Sequence, residues 1–189
     1  MERGIVVDLD EIRNNLSVKA KNGIGFLLSA VVIWLIIGLI FMQALEIETK
    51  NLYMLFATGL MFPLSVGIST MIKADWQLKN NPLGQLGLYL NLAQLIYFPI
   101  LFFAMMVQAE LAVAIFAMIT GAHFFPYGWF YKAKAYYILA PIISVTMMFL
   151  ALFSQGKLWI LPLTMAGFLL LLIVLLIFDY KNKRKVAYE

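Results

Sequence analysis

GIGFLLSAVVIWLIIGLIFM, Gly23–Met42, runs for twenty residues with no charge and a single hydroxyl, Ser29. A helix rises about 1.5 Å per residue, so a run of this length crosses a hydrocarbon layer of about 30 Å. In a bilayer the backbone has no water to bond with, and a helix satisfies its own amides. The stretch reads as a transmembrane helix, and the same ruler applies to the rest of the chain.

Working outward, six spans result. The first extends from Asn22 to Gln43 and the second, from Asn51 to Ile72, contains LYMLFATGLMFPLSVGISTMI. The third, Leu83 to Val107, follows the turn signal Asn80-Asn81-Pro82 and carries Asn91, Gln94 and Pro99. The fourth begins near Leu111 and runs into GAHFFPYGWFYKAKAYY, Gly121–Tyr137. The fifth, Ala135 to Phe153, contains Pro141, Ser144 and Thr146, and the sixth is Leu158 to Phe178. The sixth is the most uniformly apolar and is expected to form a lipid-facing wall. The fold class is therefore all-α: a polytopic membrane protein of six transmembrane helices. Three divisions follow, a leader at 1–21, a membrane domain at 22–178 and a basic tail at 179–189.

Composition agrees. The 189 residues are 63% hydrophobic and 13% charged, with a mean hydropathy of +0.90, far from ordinary globular usage. The net charge of +4 does not form the basic face that nucleic acid requires, and no nucleic-acid partner is expected. With no cysteine, thiolate catalysis, disulfides and cysteine metal sites are excluded. One histidine, His123, cannot build a multi-histidine metal site. The first 23 residues are charged throughout and lack the short apolar core of a cleavable signal, so the first span is expected to be retained.

The cations set orientation, because Lys- and Arg-bearing loops stay on the cytoplasmic side during insertion. Of the fourteen Lys and Arg, twelve flank alternate loops and the two ends, leaving only Lys50 and Lys157 on the other side. Both termini are thereby expected in the cytoplasm. Ahead of the first span, Ile5, Leu9, Ile12 and Leu16 recur at helical spacing, and Asp8 with Glu11 resembles a capping box. An amphipathic helix at the cytoplasmic interface is expected there. Three spans plus three invites an inverted repeat, with PLSV at Pro63 echoed by PIISV at Pro141.

Polar residues inside a bilayer usually face a bundle interior or a wet cavity. Entering from Leu83, Asn91 lies roughly 12 Å deep and Gln94 roughly 16 Å deep, and His123 lies roughly 12 Å from an exit near Tyr131. Ser65 and Ser144 fall at similar depth. Asn91, Gln94 and Tyr97 form one helical stripe, and His123 and Tyr127 another. Their opposition across a polar cavity on the cytoplasmic side is one reading; interhelical hydrogen bonds that only lock the bundle are the other. Pro126 has no amide to donate to Ala122, so a kink and a freed carbonyl are expected beside His123. The candidate ligand-binding residues are His123, Tyr127, Asn91, Gln94, Ser65 and Ser144, with no catalytic or metal-binding residue and no cofactor expected.

Proton coupling usually recruits a carboxylate within the membrane, and only Glu110, in a very short loop, comes near to one. GxSxG, HExxH, GxxxxGK and GxGxxG are all absent, which weighs against hydrolase, zinc-protease and nucleotide chemistry. The ring cluster of Gly121–Tyr137, ended by Lys132 and Lys134, suits the headgroup belt, where lysines snorkel. Lys181–Lys185, KNKRK, fixes the C-terminus inside and could attract anionic lipid.

The size, charged leader, AHFFPYGWFY stretch and basic tail together resemble the small six-span bacterial membrane proteins of the YoaS type. The resemblance is one of layout across much of the chain. It implies a bacterial cytoplasmic membrane and brings no functional residues with it. The expected function is binding, with transport as an extension, of a small or amphipathic molecule; a membrane scaffold stands as the alternative and an unfamiliar lipid-modifying enzyme as a third. Expected partners are membrane lipids and a small-molecule or lipid-like ligand, and a homo-oligomer is left open.

Overall fold

The computed structural model describes residues 8–188, so Arg3 and Ile5 of the leader lie outside it. Every regular element among the described residues is helical: α1 (Leu9–Lys19), α2 (Ile24–Met42), α3 (Ile47–Gly59), α4 (Met61–Met71), α5 (Gly84–Ile96), α6 (Phe98–Val107), α7 (Ala112–His123), α8 (Phe125–Phe130), α9 (Lys134–Phe153) and α10 (Ile160–Tyr188). Six helical segments are long and apolar enough to cross a membrane, at Lys21–Met42, Ile47–Met71, Gly84–Val107, Ala109–Phe130, Lys134–Phe153 and Ile160–Lys185. They are those of a multi-pass membrane protein.

Three spans are broken in the same way. A proline lacks the amide that would bond four residues back, and the helix accordingly interrupts at Leu60 before Pro63, at Tyr97 before Pro99 and at Phe124 before Pro126. At each break the ladder tightens to three-residue bonds: Leu60 to Ala57 at 3.1 Å, Tyr97 to Gln94 at 3.2 Å and Phe124 to Gly121 at 3.2 Å. By contrast α9 runs through Pro141 unbroken. The sequence echo between Pro63 and Pro141 therefore does not extend to the backbone.

The first span is the centre of the bundle. In its most apolar window 61% of residues are buried, against 11% for the third span. On one side α2 packs along α10, and on another against α4. Small residues bring α2 and α4 together: Gly25 faces Ser69, where an added Cβ would sit 3.0 Å from the Ser69 Cα. α7 packs on α9, and α10 touches both.

The sixth span is the lipid-facing wall that its apolar character suggests on one side only, where Leu170, Leu171, Val174, Leu175 and Phe178 are exposed, while its other side is built into the bundle. Leu161, Met165, Leu169, Leu172 and Leu176 of α10 are wholly buried, mostly a turn apart. Uniform hydrophobicity marks a helix enclosed by other apolar helices as readily as one bathed in lipid. The outer position belongs to the third span, which is held chiefly by α7 and the short turn before it. Its outward side carries Ile96, Phe103 and Met106, each more than two-thirds exposed.

At the end of the bundle shared by α1 and the last turns of α10, the leader is built into the protein. Asp8 caps α1 by accepting from the Asp10 amide at 2.9 Å, as its position in the sequence suggests. Leu16 and Ser17 are wholly buried. The segment following the second span clasps the helix, with the Asp75 amide donating to the Lys19 carbonyl at 2.9 Å and Asn81 Nδ2 to the Ile12 carbonyl at 3.0 Å. The helix is thus docked by polar contacts as well as by its apolar side.

Candidate functional site

The break at Phe124 decides what the fourth span presents to the bundle. Resuming at Phe125, α8 keeps Tyr127 buried and directly below His123, whose Nε2 lies 3.3 Å from the Tyr127 hydroxyl. These two side chains form one wall of a cavity of about 40 Å³. That is room for about three water molecules.

Asn91 and Gln94 on α5 line the same cavity. The Asn91 amide donates to the Gly87 carbonyl at 2.8 Å, which holds the side chain along its own helix. Gln94 Nε2 lies 3.5 Å from the Thr120 hydroxyl on α7, a long contact. Thr120 itself donates to the Phe116 carbonyl at 2.8 Å. The first span contributes Gly23, Phe26, Leu27 and Ala30, and α4 contributes Met61. Among the described residues no Lys, Arg, Asp or Glu reaches the lining.

Tyrosines close the cavity toward the end that carries α1. Tyr131 stacks on Tyr127 at 5.8 Å between ring centres and on Tyr136 at 6.0 Å. Burial raises the Tyr131 phenol above its ordinary range, so this ring lines the space uncharged. Five of the eight rings that the sequence suggests as a headgroup belt are interior, with Phe124, Tyr127, Phe130, Tyr131 and Tyr136 buried, whereas Phe125 and Trp129 are exposed and Tyr137 is partly so.

Of the six candidate residues, His123, Tyr127, Asn91 and Gln94 meet in this one lining. Ser144 lies outside it and donates to the Met118 carbonyl at 3.0 Å, tying α9 to α7. Ser65 is wholly buried on α4, its hydroxyl has no hydrogen-bond partner among the described residues, and it too is outside the lining. Tyr97, placed at the break, is 43% exposed and leaves the stripe that Asn91 and Gln94 share. Ala122, to whose carbonyl Pro126 cannot donate, is exposed and takes no part in the lining, and the Phe124 amide at the break turns toward that carbonyl instead.

A second polar cluster lies just beyond the tyrosines, and sequence reasoning passed it over. Lys21, Asn22 and Gly23 take φ values of 49°, 54° and 77°, a left-handed turn that ends α1 and starts α2. Asn22 is wholly buried. Its Nδ2 donates to Asp179 Oδ2 at 2.8 Å and to the Leu176 carbonyl at 3.1 Å; its Oδ1 accepts from Ser17, and its carbonyl accepts from the Tyr136 hydroxyl at 2.8 Å. Lys183 pairs with Asp179 at 2.5 Å and donates to Ser17 at 2.9 Å and to the Tyr131 carbonyl at 2.8 Å. The Asn-Gly pair ahead of an apolar run was the available signal, since that dipeptide favours positive φ.

A family model described as a family of unknown function, DUF7010, matches residues 9–179. The chain belongs to the DUF7010 family. The match begins at the first residue of α1 and closes on Asp179, the residue that receives Asn22 Nδ2. In DUF7010 terms the leader helix is part of the domain, together with all six spans. No curated protein and no solved structure matches the chain.

Proposed function

We propose that this protein binds a small polar or amphipathic molecule in the cavity between the first, third and fourth spans. The supporting observation is that His123, Tyr127, Asn91 and Gln94, remote in sequence, converge on one space while Asn91 remains exposed at its mouth. A polar side chain open to hydrocarbon is costly unless water or a ligand covers it. In this reading the chain sits in a bacterial cytoplasmic membrane, as its likeness to YoaS-type proteins suggests, with both ends inside. Binding is the step proposed; passage across the membrane would extend it.

The scaffold reading draws on one observation, the fully bonded cluster at Asn22, which locks helices without needing a ligand. Native mass spectrometry of the full chain released from mild detergent separates the two. Binding predicts an adduct on the wild type that is lost from His123→Leu and Asn91→Leu. Adduct profiles indistinguishable among the three proteins would favour the scaffold.

A further inference from the structure

The cavity has chemistry enough to say what kind of head group suits it. Its polar groups are an imidazole, two carboxamides and the phenols of Tyr127, Tyr131 and Tyr136, the last already donating to the Asn22 carbonyl, and the cations nearest in sequence, Lys21, Lys132 and Lys134, are not in the lining. A phosphate or carboxylate would meet one imidazole and no cationic side chain; an ammonium would meet no carboxylate. Either would exchange its hydration for neutral hydrogen-bond partners and ring faces without an opposite charge, and an unpaired buried charge is heavily disfavoured.

A hydroxyl fits better. It donates one hydrogen bond and accepts others, and the lining offers both kinds of partner. The Asn91 carboxamide spends one N–H on the Gly87 carbonyl, leaving its oxygen to accept, and Gln94 has only the 3.5 Å contact to Thr120. Space for about three waters matches a head of a few heavy atoms. Around this polar floor the walls are apolar, from Phe26, Leu27, Ala30 and Met61.

Met61 on α4 and Asn91 on α5 both line the cavity, yet α5 packs against α6 and α7 and not closely against α4 or α2. A sparsely packed seam between two membrane-spanning helices is a route from the bilayer. Resting on the binding reading above, we propose that the cavity takes the uncharged hydroxyl head of a long-chain or isoprenoid lipid alcohol. Such a molecule enters from the bilayer between α4 and α5, with its tail left in the lipid.

The test uses the full chain in nanodiscs and three photoreactive probes of equal chain length, each with a diazirine near the head: hexadecanol, hexadecanoate and hexadecyltrimethylammonium. Crosslinked peptides are mapped by mass spectrometry. The proposal expects the alcohol to label the segments around Asn91–Gln94 and His123–Tyr127, with competition by unlabelled hexadecanol. Replacing Gln94 by Leu, a change at the partly exposed side of the cavity, should reduce that labelling about fivefold to tenfold, the effect of one lost hydrogen bond to a ligand. Labelling of the same segments by the acid or the ammonium probe as strongly as by the alcohol overturns the neutral-head proposal and leaves the binding reading standing. If no probe labels either segment above the background left under excess unlabelled hexadecanol, the lipid-alcohol proposal fails, and the adduct experiment above decides the binding reading on its own. The wild-type result decides by itself, so poor folding of the variant does not blunt the test.

Discussion

Asn22 Nδ2 donates to Asp179 Oδ2 at 2.8 Å across 157 positions of sequence, joining the start of the first span to the end of the sixth. The bond is made from a left-handed backbone, φ 54° at Asn22. Two separable costs follow from removing it. Asn22→Ala loses the side-chain bonds and leaves a β-carbon in a left-handed conformation, which disfavours non-glycine residues by about 1–2 kcal/mol. Asn22→Gly loses the same bonds without that strain. Thermal unfolding in detergent should rank wild type above Asn22→Gly and Asn22→Ala last. Equal stability of the two variants would mean the turn carries no backbone preference.

Lys183 and Asp179 form a largely enclosed pair, with side-chain exposures of 15% and 31%. Removing one partner strands the other, whereas removing both does not. Lys183→Met and Asp179→Leu are each expected to lower stability, by about 2–3 kcal/mol after discounting for the partial exposure of Asp179. The double variant should be less damaged than the two single losses added together, and a double-mutant cycle measures the difference. Strict additivity would show that the pair contributes nothing as a pair.

Gly121 and Gly67 make a matched contrast. A β-carbon at Gly121 would lie 2.7 Å from Ile143 Cγ2 and 3.0 Å from the Ser144 backbone nitrogen, whereas at Gly67 it meets nothing within 4 Å. Gly121→Ala should cost about 1–3 kcal/mol through overpacking of α7 on α9. Gly67→Ala should be neutral or mildly stabilising, since alanine favours a helix by up to about 1 kcal/mol. Monodispersity after a heating series reads both variants.

Arg13 anchors α1 through its guanidinium, which donates twice to the Trp129 carbonyl, at 2.9 and 2.6 Å, and lies 4.6 Å from the Trp129 ring centre. Arg13→Ala is expected to loosen α1 while leaving the six spans intact. Hydrogen exchange of Leu9–Lys19 should quicken by about tenfold, as for loss of a charge-assisted bond, with exchange in α2 and α10 unchanged. Equal slowing or quickening throughout would mean that α1 and the bundle unfold as one unit.

Orientation can be checked without purifying anything. If the six spans alternate in direction as the sequence reading expects, twelve of the fourteen cations share one side, and a fluorescent protein fused after Glu189 should be bright in bacterial cells while an alkaline phosphatase fused there should be inactive. The reverse pattern would invert the assignment.

Hydropathy made the six spans legible because crossing hydrocarbon leaves a long, charge-free mark. Depth arithmetic also brought Asn91, Gln94 and His123 to one level, and the proline rule located the break beside His123. What it could not supply was rotation about each helix axis. Ser144 and Ser65 share the level but not the lining, and nothing in single-chain periodicity says which way a helix turns inside an apolar solvent. The same gap hid the partnership of α2 with α10, since a buried apolar helix and a lipid-exposed one use the same residues. Asn22 went unnoticed because it was read as a boundary, where polar residues are ordinary, and not as the buried turn that the Lys-Asn-Gly order permits.

The loose attachment of the third span bears on how the protein is made. α5 and α6 lie against the fourth span, a partner that the ribosome produces only afterwards. While the chain emerges, the Asn91 and Gln94 side of this hairpin arm faces membrane with no helix to receive it. The arm must wait in lipid or at the insertase until α7 arrives, which makes it the step most open to failure during biogenesis. Slowing translation between Val107 and Ala117 would lengthen that wait, and degradation of nascent chains should rise with it.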